Sequence, residues 1–126
     1  SNMKPIPNFT KHYFNLLTEM IKSNINVSNS KDLLLLKQEL ERGTIHKENA
    51  VAEKFIKINS NVVIEDLETK REMKFQIVLP SMANIKEQKV SVLATLSIAV
   101  IGFKENDEIE WDLPGGKKML KIKSID

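Results

Sequence analysis

The hydrophobic period of this chain changes once, near Phe55. Before that point apolar residues recur every three or four positions, and after it every second position. A helix buries one stripe at a period of 3.6, and a half-buried strand buries one face at a period of 2. A chain whose period changes once carries its helices first and its strands afterwards. That order argues against alternating βαβ units with a parallel sheet and predicts an α+β protein.

Residues 8–22 read as an amphipathic helix. Phe9, Tyr13, Leu16, Leu17, Met20 and Ile21 share one face. Asn8, just after Pro7, is the expected N-cap. A second helix is expected over residues 30–42. Leu33, Leu36 and Leu40 form its buried stripe, with Leu34 and Leu35 widening it. Asn29 and Asp32 supply a cap-like pair at its start, and Gly43 is expected to stop it in a left-handed conformation. The polar connection over residues 23–29 is short, so the two helices should pack antiparallel as a hairpin.

Residues 44–54 fit a loop with a helical turn and mark the boundary between a first part, residues 1–50, and a second, residues 51–126. Ser1-Asn2 ahead of Met3 reads as a remnant of tag removal and is set aside. Strands are expected at residues 55–58, 61–66 and 73–79, with a turn at Glu68-Thr69-Lys70 and a stop at Pro80. A loop over residues 81–88 leads to a short strand at Val90 and a helical turn over residues 96–101 closed by Gly102. Two strands, residues 107–113 and 118–125, flank a Pro-Gly-Gly turn.

Charge and composition narrow the function. A formal net charge of +2 is too small for a general nucleic-acid binder that works by phosphate neutralisation. The 41% apolar content supports a packed core. The chain has no cysteine, which excludes disulfides, thiol catalysis and zinc–thiolate sites and fits a reducing cytoplasm. No apolar run approaches the roughly 20 residues that span a bilayer, and no secretory signal is visible.

Catalytic chemistry finds no constellation. His12 and His46 lie in different segments with no acidic cluster at ligand spacing, and read as solvent-exposed polar residues rather than metal ligands. Ser91 and Ser97 have no neighbouring histidine. Gly43, Gly102, Gly115 and Gly116 do not form a phosphate-binding loop. The expectation is no catalytic residue, no metal and no cofactor. Glu108, Glu110 and Asp112 share one strand face, while Ile109, Trp111 and Leu113 share the other. The acidic face reads as a solvated surface opposite a core face, or as a surface presented to a basic partner. Trp111 reads as core rather than interface.

One ordered set of residues carries a family resemblance. It runs Val90-Ser91-Val92-Leu93-Ala94-Thr95-Leu96-Ser97-Ile98-Ala99-Val100-Ile101-Gly102, then Asn106-Asp107-Glu108-Ile109-Glu110-Trp111, then Leu113-Pro114-Gly115-Gly116-Lys117. In that order these residues resemble the C-terminal domain of the bacterial GreA/GreB transcription elongation factors. They are most similar to the short Rnk-type branch, the regulators of nucleoside diphosphate kinase. Asn61-Val62-Val63-Ile64-Glu65-Asp66-Leu67-Glu68-Thr69 resembles the segment that opens that domain. The resemblance implies a short N-terminal antiparallel helical hairpin followed by an FKBP-like antiparallel β-sheet domain with one short helix.

The same resemblance implies the partner, the core RNA polymerase at the rim of its secondary channel. It further implies a cytoplasmic monomer, no membrane, and DNA contact only through the transcription complex. The docking residues it implies are the Leu93-Ala94-Thr95 corner and the Pro114-Gly115-Gly116 turn. Thr95 departs from the family, where proline is usual, and Ser97 stands where glycine or alanine is frequent. In the long cleavage factors, acidic residues at the hairpin tip help hold a catalytic magnesium. Here both expected helices are short, and each reaches only about 20 Å at ~1.5 Å per residue. Residues 23–29 contain no Asp or Glu, and a hard cation needs oxygen ligands, chiefly carboxylates. Asp32 just inside the second helix reads as a favourable N-terminal charge.

The expectation is therefore a non-enzymatic regulator of transcription elongation that does not stimulate transcript cleavage. Any link to nucleoside diphosphate kinase would be regulatory and indirect. The alternatives are an FKBP-like peptidyl-prolyl isomerase, which would need an aromatic pocket from Phe55, Phe75, Phe103 and Trp111, a true cleavage factor, and an interaction module whose partner is not polymerase.

Overall fold

A computed structural model describes residues 4–24, 30–49, 54–113 and 115–126. Two helices come first, α1 (Lys11–Ser23) and α2 (Ser30–Arg42). A three-residue strand precedes the first, β1 (Asn8–Thr10), and another follows the second, β2 (Thr44–His46). These two strands pair in parallel, Asn8 opposite Thr44 and Thr10 opposite His46. The pairing ties the segment before α1 to the segment after α2, and the two helices pack against each other. The α+β class and the helical hairpin stand as expected.

Thr10, not Asn8, caps α1. Its Oγ1 accepts a hydrogen bond from the Tyr13 N–H at 3.3 Å, and Glu48 Oε1 accepts from the His12 N–H at 2.8 Å. Two of the four orphan donors of the first turn are thereby satisfied. Asn8 is taken up by the β1–β2 pairing, a signal too short for periodicity to show. At the other end, Ser23 Oγ donates to the Glu19 carbonyl at 2.6 Å and Asn24 Nδ2 to that of Met20 at 2.7 Å. The remainder of the expected connection, residues 25–29, lies outside the described residues.

The stripe of α2 is narrower than expected. Leu33, Leu36 and Leu40 are buried, while Leu34 and Leu35 are exposed. Gly43 does not take a left-handed conformation. Its role is close approach: a Cβ there would lie 2.6 Å from the Phe9 ring and 3.0 Å from the Pro7 carbonyl oxygen.

Five further strands form one sheet: β3 (Asn61–Asp66), β4 (Glu72–Val78), β5 (Lys89–Ser91), β6 (Glu108–Leu113) and β7 (Gly116–Ile125), in the order β5-β4-β3-β7-β6. Every pairing is antiparallel except β4–β5, which is parallel. The return of residues 79–88, with two 3-10 turns, makes that crossover. A short helix, α3 (Thr95–Val100), lies between β5 and β6.

Residues 55–58 are not a strand. Phe55 makes one isolated bridge to Lys104. The Lys57 N–H then bonds Ser60 Oγ at 2.9 Å and the Ser60 N–H bonds the Lys57 carbonyl at 3.0 Å, with Asn59 at φ 78°. Phe55, Ile56 and Ile58 are buried within a turn rather than on one face of a ladder. One continuous core joins both halves: Leu17, Leu36 and Leu40 from the helices pack with Val62, Ile64, Ile77, Val92, Phe103 and Ile122. Among the described residues no helix is long and apolar enough to cross a membrane.

Two small substitutions should move stability in opposite directions. Gly102 sits at φ +82°, and a Cβ there would meet Asn8 backbone atoms at 2.9 Å. Gly102→Ala should cost at least about 2 kcal/mol. Ser97 Oγ is fully buried with no hydrogen-bond partner among the described residues. Ser97→Ala removes an unsatisfied hydroxyl from a helix and should add about 1 kcal/mol. Urea titration of both variants checks the pair of signs.

Candidate protein-interaction site

The Leu93-Ala94-Thr95 corner is built by Ser91. Its carbonyl accepts the Ala94 N–H at 3.0 Å and its Oγ accepts the Leu93 N–H at 3.1 Å. This pair of hydrogen bonds folds β5 directly into α3. Leu93 packs against the core, Ala94 is half-buried, and Thr95 is exposed as the first residue of α3. Thr95 Oγ1 donates to Asp32 Oδ1 at 3.0 Å. Asp32 is thus in the first turn of α2, as expected, and also ties α2 to α3 across 63 residues of sequence. No sequence spacing pointed to that tie.

Thr95 opens onto a groove of about 600 Å³ between α2, α3 and β6. Asp32, Leu35 and Arg42 form its helical wall, Ile98 and Ala99 come from α3, and Ile109, Glu110, Trp111 and Asp112 come from β6. Arg42 pairs with the buried carboxylate of Glu39 through Nε, and its Nη2 donates to the Pro5 carbonyl at 2.6 Å. Trp111 is half-buried against the core, with one side left to the groove.

Of the sequence-predicted docking residues only Thr95 lines this groove. Gly115 and Gly116 are exposed at the tip of the β6–β7 hairpin, and Pro114 lies outside the described residues. Gly116 needs its glycine, with φ at +131°, whereas Gly115 is outside the left-handed region and a Cβ on it would meet nothing within 4 Å. His12 is exposed, as expected. His46 is not: it is half-buried, bonded through Nε2 to Asn8 Oδ1 at 3.0 Å and stacked on Phe55 at 5.3 Å.

Two charged groups set the local electrostatics. Asp66 Oδ2 accepts from Lys118 Nζ at 3.0 Å, while Oδ1 accepts the N–H groups of Glu68 and Thr69 at 2.9 and 3.1 Å. The Lys118 hydrogen bond is the largest cause that brings its carboxyl down from 3.8 to about 2, with the backbone bonds adding to it. An Asp ahead of a turn is a readable signal for this Asx arrangement. Lys117 is shifted upward, first by its hydrogen bond to Glu110 at 3.0 Å, then by the charges of Glu110 and Asp112. The acidic face of β6 is therefore partly answered by β7.

The family described as "Transcription elongation factor, GreA/GreB, C-term" matches residues 51–126. The chain belongs to the GreA/GreB family. Transcription elongation factor GreA of Neorickettsia sennetsu is 35% identical over 71 residues, covering 56% of this chain and 45% of that protein. GreA of Syntrophus aciditrophicus is 28% identical over 105 residues, covering 83% and 56%. The chain spans about half the length of the curated relatives it matches. The solved prokaryotic transcription elongation factor GreA/GreB from Nitrosomonas europaea aligns with a TM-score of 0.72 at 24% identity, over 97% of this chain and 98% of that one. Gfh1 of Thermus thermophilus aligns with a TM-score of 0.51 at 19% identity, over 97% and 99%. These two likenesses show the fold.

Acid should expose the Asp66 contribution. Its folded value lies below the ordinary one, so the ionised carboxylate stabilises the fold above about pH 4. That contribution fades as pH falls toward 2. Thermal melts of the wild type and Asp66→Asn, run from pH 6 down to about pH 2, should converge at the acid end.

Proposed function

We propose that this protein is an RNA polymerase-binding regulator of transcription elongation of the Rnk type, docking near the secondary channel without stimulating transcript cleavage. The observation that carries the reading is the size and chemistry of the hairpin. Each helix has 13 residues. At ~1.5 Å per residue its reach is about 20 Å. The sequence between them has no carboxylate. Asp32, the first acidic residue after it, is engaged by Thr95 rather than presented with a second carboxylate to a metal. A solved GreA/GreB-family structure of the same extent supports the short form.

The docking elements in this reading are the Leu93-Ala94-Thr95 corner and the exposed turn at Gly115 and Gly116. The isomerase alternative draws less support. Phe55, Phe75 and Trp111 each line a different cavity, and Phe103 is fully buried. These three cavities do not bring the four aromatics together.

The purified protein should co-sediment with core RNA polymerase and compete with a longer Gre factor. In stalled elongation complexes it should release no short RNA, even at excess magnesium. Cleavage products that depend on the protein and vanish with Asp32→Ala would overturn the reading.

Two substitutions test the docking face. Ala94 has φ -73° and ψ 149°. That extended backbone accepts a following proline, and Thr95 holds the first helical position, where proline is favoured. Thr95→Pro loses the bond to Asp32 and gains a preorganised corner, so its stability should stay within about 1 kcal/mol. Its affinity for polymerase should hold or rise. Gly115→Trp, free of the strain that Gly116→Trp would add, should leave melting unchanged and weaken polymerase binding. Unchanged affinity in Gly115→Trp, or lost affinity in a stably folded Thr95→Pro, removes this face from the proposal.

A further inference from the structure

The two edges of the sheet are treated differently. On β5 the outer edge is occupied: the Asn84 N–H bonds the Lys89 carbonyl and the Lys89 N–H bonds that of Asn84, both at 2.9 Å. The other edge is β6, six residues long. In an antiparallel ladder the N–H and C=O of one residue point the same way, and successive residues alternate. The Met119 carbonyl accepts from Leu67 N–H at 3.0 Å, on the β3 side, whereas Ile122 exchanges bonds with Asn106 and Asp107 on the β6 side. Met119 therefore faces away from β6. Its cross-strand partner Glu110 faces away from β7. By alternation the N–H and C=O groups of Glu108, Glu110 and Asp112 all point out of the sheet. Among the described residues none of these groups has a hydrogen-bond partner on that side. Both faces of the strand, Glu110 and Asp112 as well as Ile109 and Trp111, line the groove, so the groove runs along this edge.

We infer that the β6 edge is a strand-addition site for an extended protein segment that alternates basic and apolar residues. A strand added antiparallel takes its hydrogen bonds from Glu108, Glu110 and Asp112. Residues directly opposite these three meet carboxylates on the outer face, where Lys or Arg is favoured and Asp or Glu is disfavoured. The intervening residues share the face of Ile109 and Trp111 and enter the groove beside Leu35, where apolar side chains fit. The helical wall mixes Lys31 and Arg42 with Asp32 and Glu39, and on the outer face the three acids of β6 stand against Lys117, which pairs with Glu110, and Lys121, so the excess acid of the strand sets the charge preference. A second copy of this chain is a poor occupant: antiparallel β6–β6 pairing centred on Glu110 would place Glu110 opposite Glu110 and Glu108 opposite Asp112. The inference requires nothing of the polymerase reading, and its test contains no polymerase, so either can fail alone.

Trp111 is the only tryptophan and reports the groove by its emission. The probe is a capped seven-residue peptide of alternating Lys and Val, titrated into the full chain with amide NMR in parallel. Saturable binding is expected, with shifts centred on Glu108, Glu110 and Asp112. The Glu–Val counterpart should bind at least about tenfold more weakly, and Glu110→Gln should weaken the Lys–Val peptide about threefold. N-methylation distinguishes pairing from charge attraction without altering the protein. N-methyl groups on the Lys residues block the bonds to β6 and should cost at least about tenfold, whereas N-methyl groups on the Val residues point away and should cost little. Equal binding of the two N-methyl isomers, equal binding of the Lys and Glu peptides, or no binding of any peptide overturns the proposal. A dimer in sedimentation, with the Glu108, Glu110 and Asp112 amides protected, assigns the edge to a second copy and also overturns it.

Discussion

The backbone of Gly102 is the joint on which the two halves of the chain depend. Its carbonyl accepts from the Asn8 N–H at 2.7 Å and from Asn8 Nδ2 at 3.2 Å, and its N–H donates to the Ile56 carbonyl at 2.8 Å. Three segments distant in sequence thus meet at one residue. The meeting works because Gly102 tolerates φ +82° and has no Cβ to strike Asn8 and Pro7. From Asn8 the arrangement spreads outward. Asn8 belongs to β1, β1 pairs with β2, and that pairing closes the base of the helical hairpin. The hairpin is therefore set against the sheet at its base, with Leu17, Leu36 and Leu40 sealing the contact.

Fixing the base also fixes α2 against α3. Asp32 stands in the first turn of α2 and meets Thr95 at the start of α3. A carboxylate that would otherwise only favour its own helix terminus becomes a bridge to the corner after β5. Position 95 then has a double character. Proline would rigidify the corner through its fixed φ, whereas threonine holds it through a side-chain hydrogen bond. Both solutions restrain the same backbone, one locally and one by reaching to the hairpin. In the second solution one side-chain hydrogen bond joins the corner to the hairpin.

How much of this was legible in the sequence follows from the range of each signal. The long amphipathic pattern of α1 and α2 and the alternation of β3, β4, β6 and β7 were readable, because one buried face repeats over many residues. Ile56 and Ile58 alternate too, but so short a run looks the same in a turn closed by Ser60. Asn8 looked like a cap because a polar residue after proline commonly is one; its pairing with Thr44 is non-local and leaves no mark nearby. Leu34 and Leu35 looked buried because leucine runs usually are, yet only one stripe of α2 reaches the core. For the candidate site, the family resemblance pointed to the corner that contains Thr95, while the tie of Thr95 to Asp32 and the groove residue Leu35 required the fold. Gly116 announced its positive φ by being glycine; Gly115, identical in sequence terms, turned out to be needed for none of that strain.

The acidic run of β6 is best understood from its position. Acids on a central strand face would be answered by both neighbours, but β6 has a neighbour on one side only. Glu110 is met by Lys117, and Glu108 faces Lys121 across the ladder. The opposite side has no such answer among the described residues. An exposed edge strand invites pairing with other chains, and natural sheets blunt such edges with a covering turn or with charge. This sheet uses one device at each end: the Asn84 turn over β5 and three carboxylates along β6. The turn blocks every partner alike, because it occupies the hydrogen-bonding groups themselves. Charge leaves those groups free and discriminates by sign. A strand of like charge, including another β6, is repelled, whereas a strand of opposite charge finds its main-chain bonds and side-chain attraction aligned. The two edges thus differ in kind, one closed to pairing and the other selective.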